Sequence, residues 1–452
     1  MRNILPKNLI TLAKSSPEPL YVVGGSVRDF LANLTPKNKK WDWDLSSPMP
    51  VELFLSVAEN NGFTALSVYK NTGTLKLRDN DGNDYEYSTF RSDKYVRGVH
   101  TPIETFFTDD IFLDARRRDF TANAVYYDIS NDAFVDPLNG IPAIKEKRLT
   151  TVDNANKVFG EDGLRLMRLC RQTATLGFAP DNDCLQGAKA NANLIRDISP
   201  ERIFCELEAI LLADEKYGVK NGHYHGLKLL DETGVLREIL PELALGKGMQ
   251  QRADFHKYDV LEHSLRSCRY AHPSVRLASL LHDVGKPFCI LRDGNSFAHP
   301  IEGERIAKEI LSRLKAPKRT IQEVALLTKL HMYDFNCNTS ENKLRRFIVQ
   351  NYQILDKLLL VKQADFSACM DDITPAPTCV RWKRLLEKMQ AEKAPKTLKE
   401  LAISGKDLLS LDIPPERFSS TLHALLLHTA VNPKDNEKTR LCKLAISFQH
   451  NL

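Results

Sequence analysis

The sequence predicts an α+β protein, with a small mixed-sheet head at the N-terminus and an all-helical remainder. Two changes of texture predict it. From Leu20 to about Arg148, short apolar or alternating segments recur between short helices, as strands of a small sheet do. Beyond Arg148, apolar residues recur at three- and four-residue spacing in EDGLRLMRLCRQTATL, PERIFCELEAILL and SVRLASLLHDV, the repeat of helices that bury one face. At 452 residues the chain is too long for one core and implies about three domains or more. The texture divides it into a head (1–150), a helical neck (151–250), a histidine-bearing segment (251–375) and a helical tail (376–452).

Composition narrows the class. With 42% apolar and 27% charged residues the chain reads as globular, and no apolar run is long enough to cross a bilayer. The first residues, MRNILPKNLITLAKSS, lack the hydrophobic core of a secretory signal, so a cytoplasmic location is expected. Nine scattered cysteines without a C-x-x-C pair argue against a disulfide framework and a zinc knuckle. A net charge of +5 permits a nucleic-acid partner without requiring one.

In the head, LYVVGG reads as a buried strand that breaks at Gly24-Gly25. Glycines at a strand-to-helix junction let backbone N–H groups approach a phosphate, and Arg28 adds a forked cation. Asp42 and Asp44 follow in WDWD. Residues two apart on a strand share a face, so the pair can hold one hard cation, typically Mg²⁺. FTALSVY, TGTLKLRD and DYEYSTF continue the sheet, with DNDGND as a hairpin turn. Glu86 lies in the last of these strands, either as a third carboxylate at the metal or as a surface acid. Residues 91–113 show no clean period and read as a mobile loop. In DARRRDFTANA, three arginines before Asp119 form a dense charge cluster that phosphates or a ribose hydroxyl would satisfy, or that a solvated helix end would. ANAVYYDI and AFVDP close the sheet.

Beyond the head, Asp162 and Arg165 are three apart in EDGLRLMR, which on a helix places a carboxylate acceptor beside a guanidinium donor. Cytosine and adenine both present an exocyclic amine next to a ring acceptor, so one such pair can accept both bases. Guanine and uracil present the reverse order and would leave buried groups unpaired, at about 1–3 kcal/mol each. Arg168 and Arg171 extend the stripe toward a triphosphate. An intrahelical salt bridge is the plainer reading of the spacing.

GGSVRD, WDWDL, STFRSD, RRDFTANA, the turn Asp136–Gly140, EDGLRLMR and SPERI occur in one order over roughly 190 residues. In this the chain resembles the class II tRNA nucleotidyltransferases, the CCA-adding enzymes, and their relatives the bacterial poly(A) polymerases. The resemblance implies a polymerase-β-like nucleotidyltransferase head followed by helical neck, body and tail. It also implies addition of C, C and A to tRNA 3′ ends from CTP and ATP. Asp42 and Asp44 would hold Mg²⁺ with Glu86 beside them, Gly25 and Arg28 the triphosphate, and Arg118 and Asp119 the phosphate and ribose region. Asp162 and Arg165 would read the base, with Arg168 and Arg171 helping to bind the nucleotide. Where the family commonly has a second glycine and a later acid after Asp136-Pro137, this chain has Asn139 and Ala143, so that turn is assigned no chemistry.

A second constellation follows. His256, His263, His282-Asp283, His299, His331 and Asp365 bunch along the helical segment, and imidazoles with carboxylates suit a divalent transition metal. The pattern resembles the HD phosphohydrolases, which would make His263, His282, Asp283 and Asp365 ligands of a second divalent ion, with His299 and His331 at a further position. The alternatives to full CCA addition are an A-adding partial enzyme, a poly(A) polymerase, and an HD-type phosphohydrolase with an RNA-binding head. No membrane partner is expected, and the sequence leaves the oligomeric state open.

Overall fold

The apolar triplet Tyr21–Val23 (β1) lies inside a seven-stranded sheet, between Trp43–Ser47 (β2) and a later strand, and pairs antiparallel with both. The computed structural model describes residues 1–38, 40–96 and 102–449. Thr64–Tyr69 (β3), Thr74–Arg78 (β4) and Asp84–Thr89 (β5) form an antiparallel meander, and β5 then runs parallel to β2. Tyr126–Asp128 (β8) and Ala133–Val135 (β9) complete the order β3-β4-β5-β2-β1-β8-β9. The DNDGND tract is the β4–β5 turn. Its buried Asp79 accepts bonds from the backbone N–H of Asp81 and Asn83, which closes the turn without water.

Residues 91–113 depart from the expected loop. Arg91–Lys94 (β6) and Glu104–Phe107 (β7) pair antiparallel, and Asp110 then caps a short helix, Ile111–Arg116. Neither strand has a buried residue, so there is no alternation of apolar and polar residues for the sequence to display. Residues 97–101 of that segment lie outside the described residues.

Around the sheet, in chain order, stand α1 (Lys7–Ser15), α2 (Gly25–Leu31), α3 (Val51–Asn60), α4 (Ile111–Arg116) and α5 (Gly140–Lys145). The neck adds α6 (Ala155–Glu161), α7 (Leu164–Leu176), α8 (Asn182–Asn191), α9 (Pro200–Leu211) and α10 (Ala213–Tyr217). One apolar cluster joins strand residues Val23 and Tyr126 to Ala115 of α4 and to Val152 and Val158 at the start of the neck. The seam between sheet and neck is therefore a packed core.

By its contacts the chain divides into two compact units, Met1–Ala244 with Arg313–Ala316, and Leu245–Ser312 with Pro317–Leu452. The described residues of the second unit form helices and no strand, among them Val260–Tyr270, Arg276–Leu281, Lys318–Leu330 and Leu355–Met370. Among the described residues no helix is long and apolar enough to cross a membrane.

Candidate active site

Three carboxylates gather on the sheet. Asp44 sits on β2, Asp42 just before it, and Glu86 is the register partner of Asp44 on β5; all three are exposed. Gly24, with φ +81°, turns the chain from β1 into α2 directly above Asp44. A Cβ at Gly24 would stand 2.9 Å from the Asp44 Oδ2, so this glycine leaves room for the carboxylate as well as supplying the turn. Asp44 meets solvent but is crowded by protein on its other sides. That crowding, with repulsion from Glu86 and Asp42 only partly offset by Arg118 and Arg168, pushes its carboxyl up to about 6. Asp44 and Glu86 are register neighbours and Asp42 stands two residues before Asp44, with Lys216 on Asp42 and Lys76 on Glu86 as their cationic partners; carboxylates of this kind are the donors a hard divalent cation takes.

Asp114 organises the arginines behind the site and is wholly buried. It accepts from Arg117 Nε at 2.7 Å, from Arg118 Nη2 at 3.0 Å and from the Tyr126 hydroxyl at 2.6 Å. Burial alone would raise its carboxyl; the charges of Arg117 and Arg118 and the Tyr126 bond outweigh that and hold it well below the usual carboxylate range. Asp114→Asn should cost about 3–5 kcal/mol, because it strands two guanidinium groups. The measurement is urea denaturation followed by Trp41 and Trp43 in a Trp382→Phe background. A cost under about 1 kcal/mol, the scale of an exposed pair, would contradict this assignment. Since the native pKa is depressed, the contribution is complete above the unfolded carboxylate range of about 4 and is lost only as pH falls through the lower native value.

The expected nucleotide-binding arginines differ in how committed they are. Arg28 is 7% exposed and donates to Asp29 Oδ1 through Nε and Nη2 and to Asn123 Oδ1 at 2.6 Å. Its fork is thus engaged inside the head, beside Gly25 in the first turn of α2. Asp119 is likewise engaged. One oxygen accepts from Asn123 Nδ2 and from the Phe120 N–H, the other from Arg168 Nε at 2.7 Å. Arg168 remains partly exposed, while Arg171 pairs with Glu206 at 2.6 Å.

Asp162 and Arg165 do not share a helix face as the spacing suggests. Asp162 is an extended residue between α6 and α7, with φ −144° and ψ 107°, and Arg165 lies in the first turn of α7. The break is at Asp162 itself; Gly163 already has helical angles (φ −60°, ψ −24°) and packs closely, since a Cβ there would stand 2.5 Å from the Leu194 carbonyl oxygen. The Asp162 carboxylate accepts the Leu164 N–H at 2.9 Å. Arg165 donates to the carbonyls of Val158 and Arg117 at 3.0 and 2.8 Å and to Glu161 at 3.1 Å, and its guanidinium lies 5.5 Å from the centre of the Tyr95 ring. Three of its five N–H protons are spent in these bonds. An open cavity of about 520 Å³ adjoins them, lined by Tyr95, Gly160 and Glu161 among others. The sequence reading gave no role to Asp114, Asn123 or Tyr95, and for Gly24 it found the turn without the room it leaves for Asp44. Of the three without a role, only Asp114, four residues before Arg118, carried a visible signal.

In the second unit five helical segments bring the histidines together. His263 Nε2 lies 3.2 Å from His282 Nε2 and 3.0 Å from Asp365 Oδ1, and His282 Nε2 lies 3.3 Å from Asp283 Oδ2. The other oxygen of Asp283 faces His299 at 3.2 Å and His331 at 3.5 Å, and those two rings meet Nε2 to Nε2 at 3.3 Å. His299 and His331 each direct Nδ1 at a backbone carbonyl 2.6 Å away, Ser296 and Thr328 respectively. Nδ1 must therefore carry the proton, which leaves two Nε2 lone pairs pointed at each other; a cation or an added proton must lie between them. His282 is oriented in the same way by the Ser279 carbonyl at 2.7 Å. The Asp283 carboxylate is placed to join two cation positions.

The sheet that carries the Asp44 and Glu86 carboxylates and the neck that follows it both match known protein families. Residues 20–150 match the family described as the poly(A) polymerase head domain, and residues 177–245 match the probable RNA- and SrmB-binding site of polymerase A. The A-adding tRNA nucleotidyltransferase of Deinococcus radiodurans is 28% identical over 90% of this chain and 91% of its own length. The CCA-adding enzyme of Lactococcus lactis subsp. lactis is 33% identical over 52% of this chain and 56% of its own length. Among solved structures, the Bacillus stearothermophilus CCA-adding enzyme in complex with CTP shares the fold, with a TM-score of 0.66, 23% identity and coverage of 100% of this chain and 97% of that one. Two segments of the chain thus match domains of poly(A) polymerases, and the relatives that align with it are tRNA nucleotidyltransferases.

Proposed function

We propose that this chain adds C, C and A, without a nucleic-acid template, to the 3′ end of tRNA from CTP and ATP, releasing pyrophosphate. The observation that supports this most directly is Asp44 beside Glu86 on a poly(A) polymerase head sheet, within one packed unit with Asp162 and Arg165. Nucleotidyltransferases of this family use divalent metals. Here Asp42 and Asp44 would hold Mg²⁺, with Glu86 as a further carboxylate, and the ion supplies Lewis-acid charge at the 3′-hydroxyl and the leaving pyrophosphate. Arg118 and Arg168, whose charges act on Asp44, face the phosphate region. Asp162 and Arg165 provide the acceptor and donor that select C and A over U and G. A cytoplasmic location fits nine free thiols.

Purified protein given a tRNA lacking its last three nucleotides, with labelled CTP and ATP, should extend it by three residues and stop. The Deinococcus relative, an A-adding enzyme aligned over nearly the whole chain, supports a second reading. On that reading only tRNA already ending in CC is extended, by one A. A long ladder would instead indicate poly(A) synthesis, and no extension would leave the phosphohydrolase reading.

For the second unit we propose a divalent transition-metal pair, one ion at His263, His282, Asp283 and Asp365 and one at Asp283, His299 and His331. Metal analysis of protein purified without chelator should find two ions per chain beyond the Mg²⁺ site, falling to one in His331→Ala. Metal-free protein of native stability would overturn the assignment.

A further inference from the structure

One short neck helix reaches the catalytic carboxylates. The Lys216 ammonium, from α10, lies 3.2 Å from Asp42 Oδ2, and both side chains are solvent-accessible, 41% and 80% respectively. The helix that carries it is tied down on three sides. Its Lys216 carbonyl accepts the Lys37 N–H at 2.9 Å, its Tyr217 hydroxyl donates to Asp29, and its Asp214 carboxylate lies 3.3 Å from His223 Nδ1. The backbone of Lys216 is therefore fixed while its four-carbon stem is free to swing. Lysine, a compact charge on a flexible stem, can exchange one anionic partner for another nearby without moving its backbone.

The arginines near the site are less able to do this. Arg28 is buried with its fork on Asp29 and Asn123, Arg118 is held by Asp114 and Tyr126, and Arg171 is held by Glu206. The ammonium of Lys216 has three donors, and Asp42 takes one. A divalent ion arriving at Asp42 must compete with this ammonium for the same oxygen, and once bound it repels it. A nucleoside triphosphate bound through that ion would bring phosphate oxygens into the ammonium's range.

We propose that Lys216 is a triphosphate-binding residue that rests on Asp42 until metal and nucleotide arrive, then transfers its ammonium from the carboxylate to the phosphates. This rests on the reading of Asp42 and Asp44 as the metal site. It predicts opposite effects on two equilibria. In the full chain, Lys216→Met should tighten binding of Mn²⁺ alone, followed by electron paramagnetic resonance, by about three- to tenfold, because a competing cation is gone. The same variant should weaken binding of CTP at saturating Mg²⁺, followed by calorimetry, by about tenfold, because a phosphate contact is gone. Tyr217→Phe, which loosens the helix and keeps the ammonium, should change neither by more than about twofold.

Failure of either shift in Lys216→Met, or equal shifts in Tyr217→Phe, overturns the proposal. Mn²⁺ bound at the histidine cluster is removed from account by filling that cluster with Zn²⁺, which imidazole sites hold more tightly, before each Mn²⁺ titration. An Asp44→Asn control separates the two levels of the argument. If Mn²⁺ binding survives that change, the carboxylate site itself is wrong, whereas a normal Asp44→Asn loss with no Lys216 effect condemns the Lys216 proposal alone.

Discussion

Asp44→Asn should abolish nucleotide incorporation while leaving the metal-free protein folded and no less stable. Asparagine matches the shape of the carboxylate, so the notch opposite Gly24 stays filled, yet it gives up the negative charge that a divalent ion needs. Loss of a single charge-stabilising group in an active site typically costs about 10²–10³ in kcat, and loss of a metal ligand should lie at or beyond the upper end. The stability direction follows from the raised carboxyl. A group near 6 in the native state and near 4 when unfolded favours the native state only while it is protonated. That contribution declines as pH rises through this window, so at neutral pH the charge is a burden on the apo fold, and asparagine should hold or raise the melting temperature. Single-turnover incorporation of CTP and a thermal melt in chelator test both halves. A fall of less than tenfold in rate, or a clear drop in melting temperature, would contradict the assignment. Glu86→Ala belongs in the same experiment, because Glu86 is exposed and pairs with Lys76 at 3.4 Å. A third ligand would cost rate there, and a surface acid would not.

The second large effect is on base choice. In Asp162→Asn the side-chain carbonyl can still accept the Leu164 N–H, but an NH₂ replaces the other acceptor oxygen. If Asp162 accepts from the exocyclic amine of cytosine and adenine, the variant sets donor against donor. Preference for CTP over UTP, measured as a ratio of kcat/KM values, should then fall about 10- to 100-fold, the equivalent of roughly 1–3 kcal/mol. Asp162 is a better probe than Arg165. The Arg165 guanidinium also binds the Val158 and Arg117 carbonyls and Glu161, so its removal loosens the neck whether or not it touches a base. An unchanged preference in Asp162→Asn would remove this residue from selection.

Much of the fold was legible in residue order, because strands and helices each bury one face. The strand segments other than Thr64–Tyr69 and Ala133–Val135, which bury no residue, and the helical texture after Arg148 carry that periodicity, and the Asp79 turn is marked by its Asp, Asn and Gly residues. The β6–β7 hairpin has no buried face and so no period, which is why it read as a loop. At the site, the residue types in WDWD and EDGLR are what drew the candidate residues from the sequence. What they left hidden was commitment. Nothing in the order of residues shows that the Arg28 fork, beside its neighbour Asp29, is shared with Asn123 across 95 positions. The same holds for Asp119 on Arg168 across 49 positions and for Lys216 on Asp42 across 174. Such pairings depend on long-range packing, while the i, i+3 spacing of Asp162 and Arg165 proposed a local pairing that the extended backbone of Asp162 interrupts.

The hairpin carries one more consequence, in the language of amide exchange. A two-stranded ribbon without a buried face has few contacts to lose, so its N–H groups should exchange through local openings far smaller in free energy than global unfolding. Those openings would not stay local in effect. Tyr95 follows directly from β6 and its ring centre lies 5.5 Å from the Arg165 guanidinium, so each excursion of the ribbon should also uncover that guanidinium, while the seven-stranded sheet remains closed.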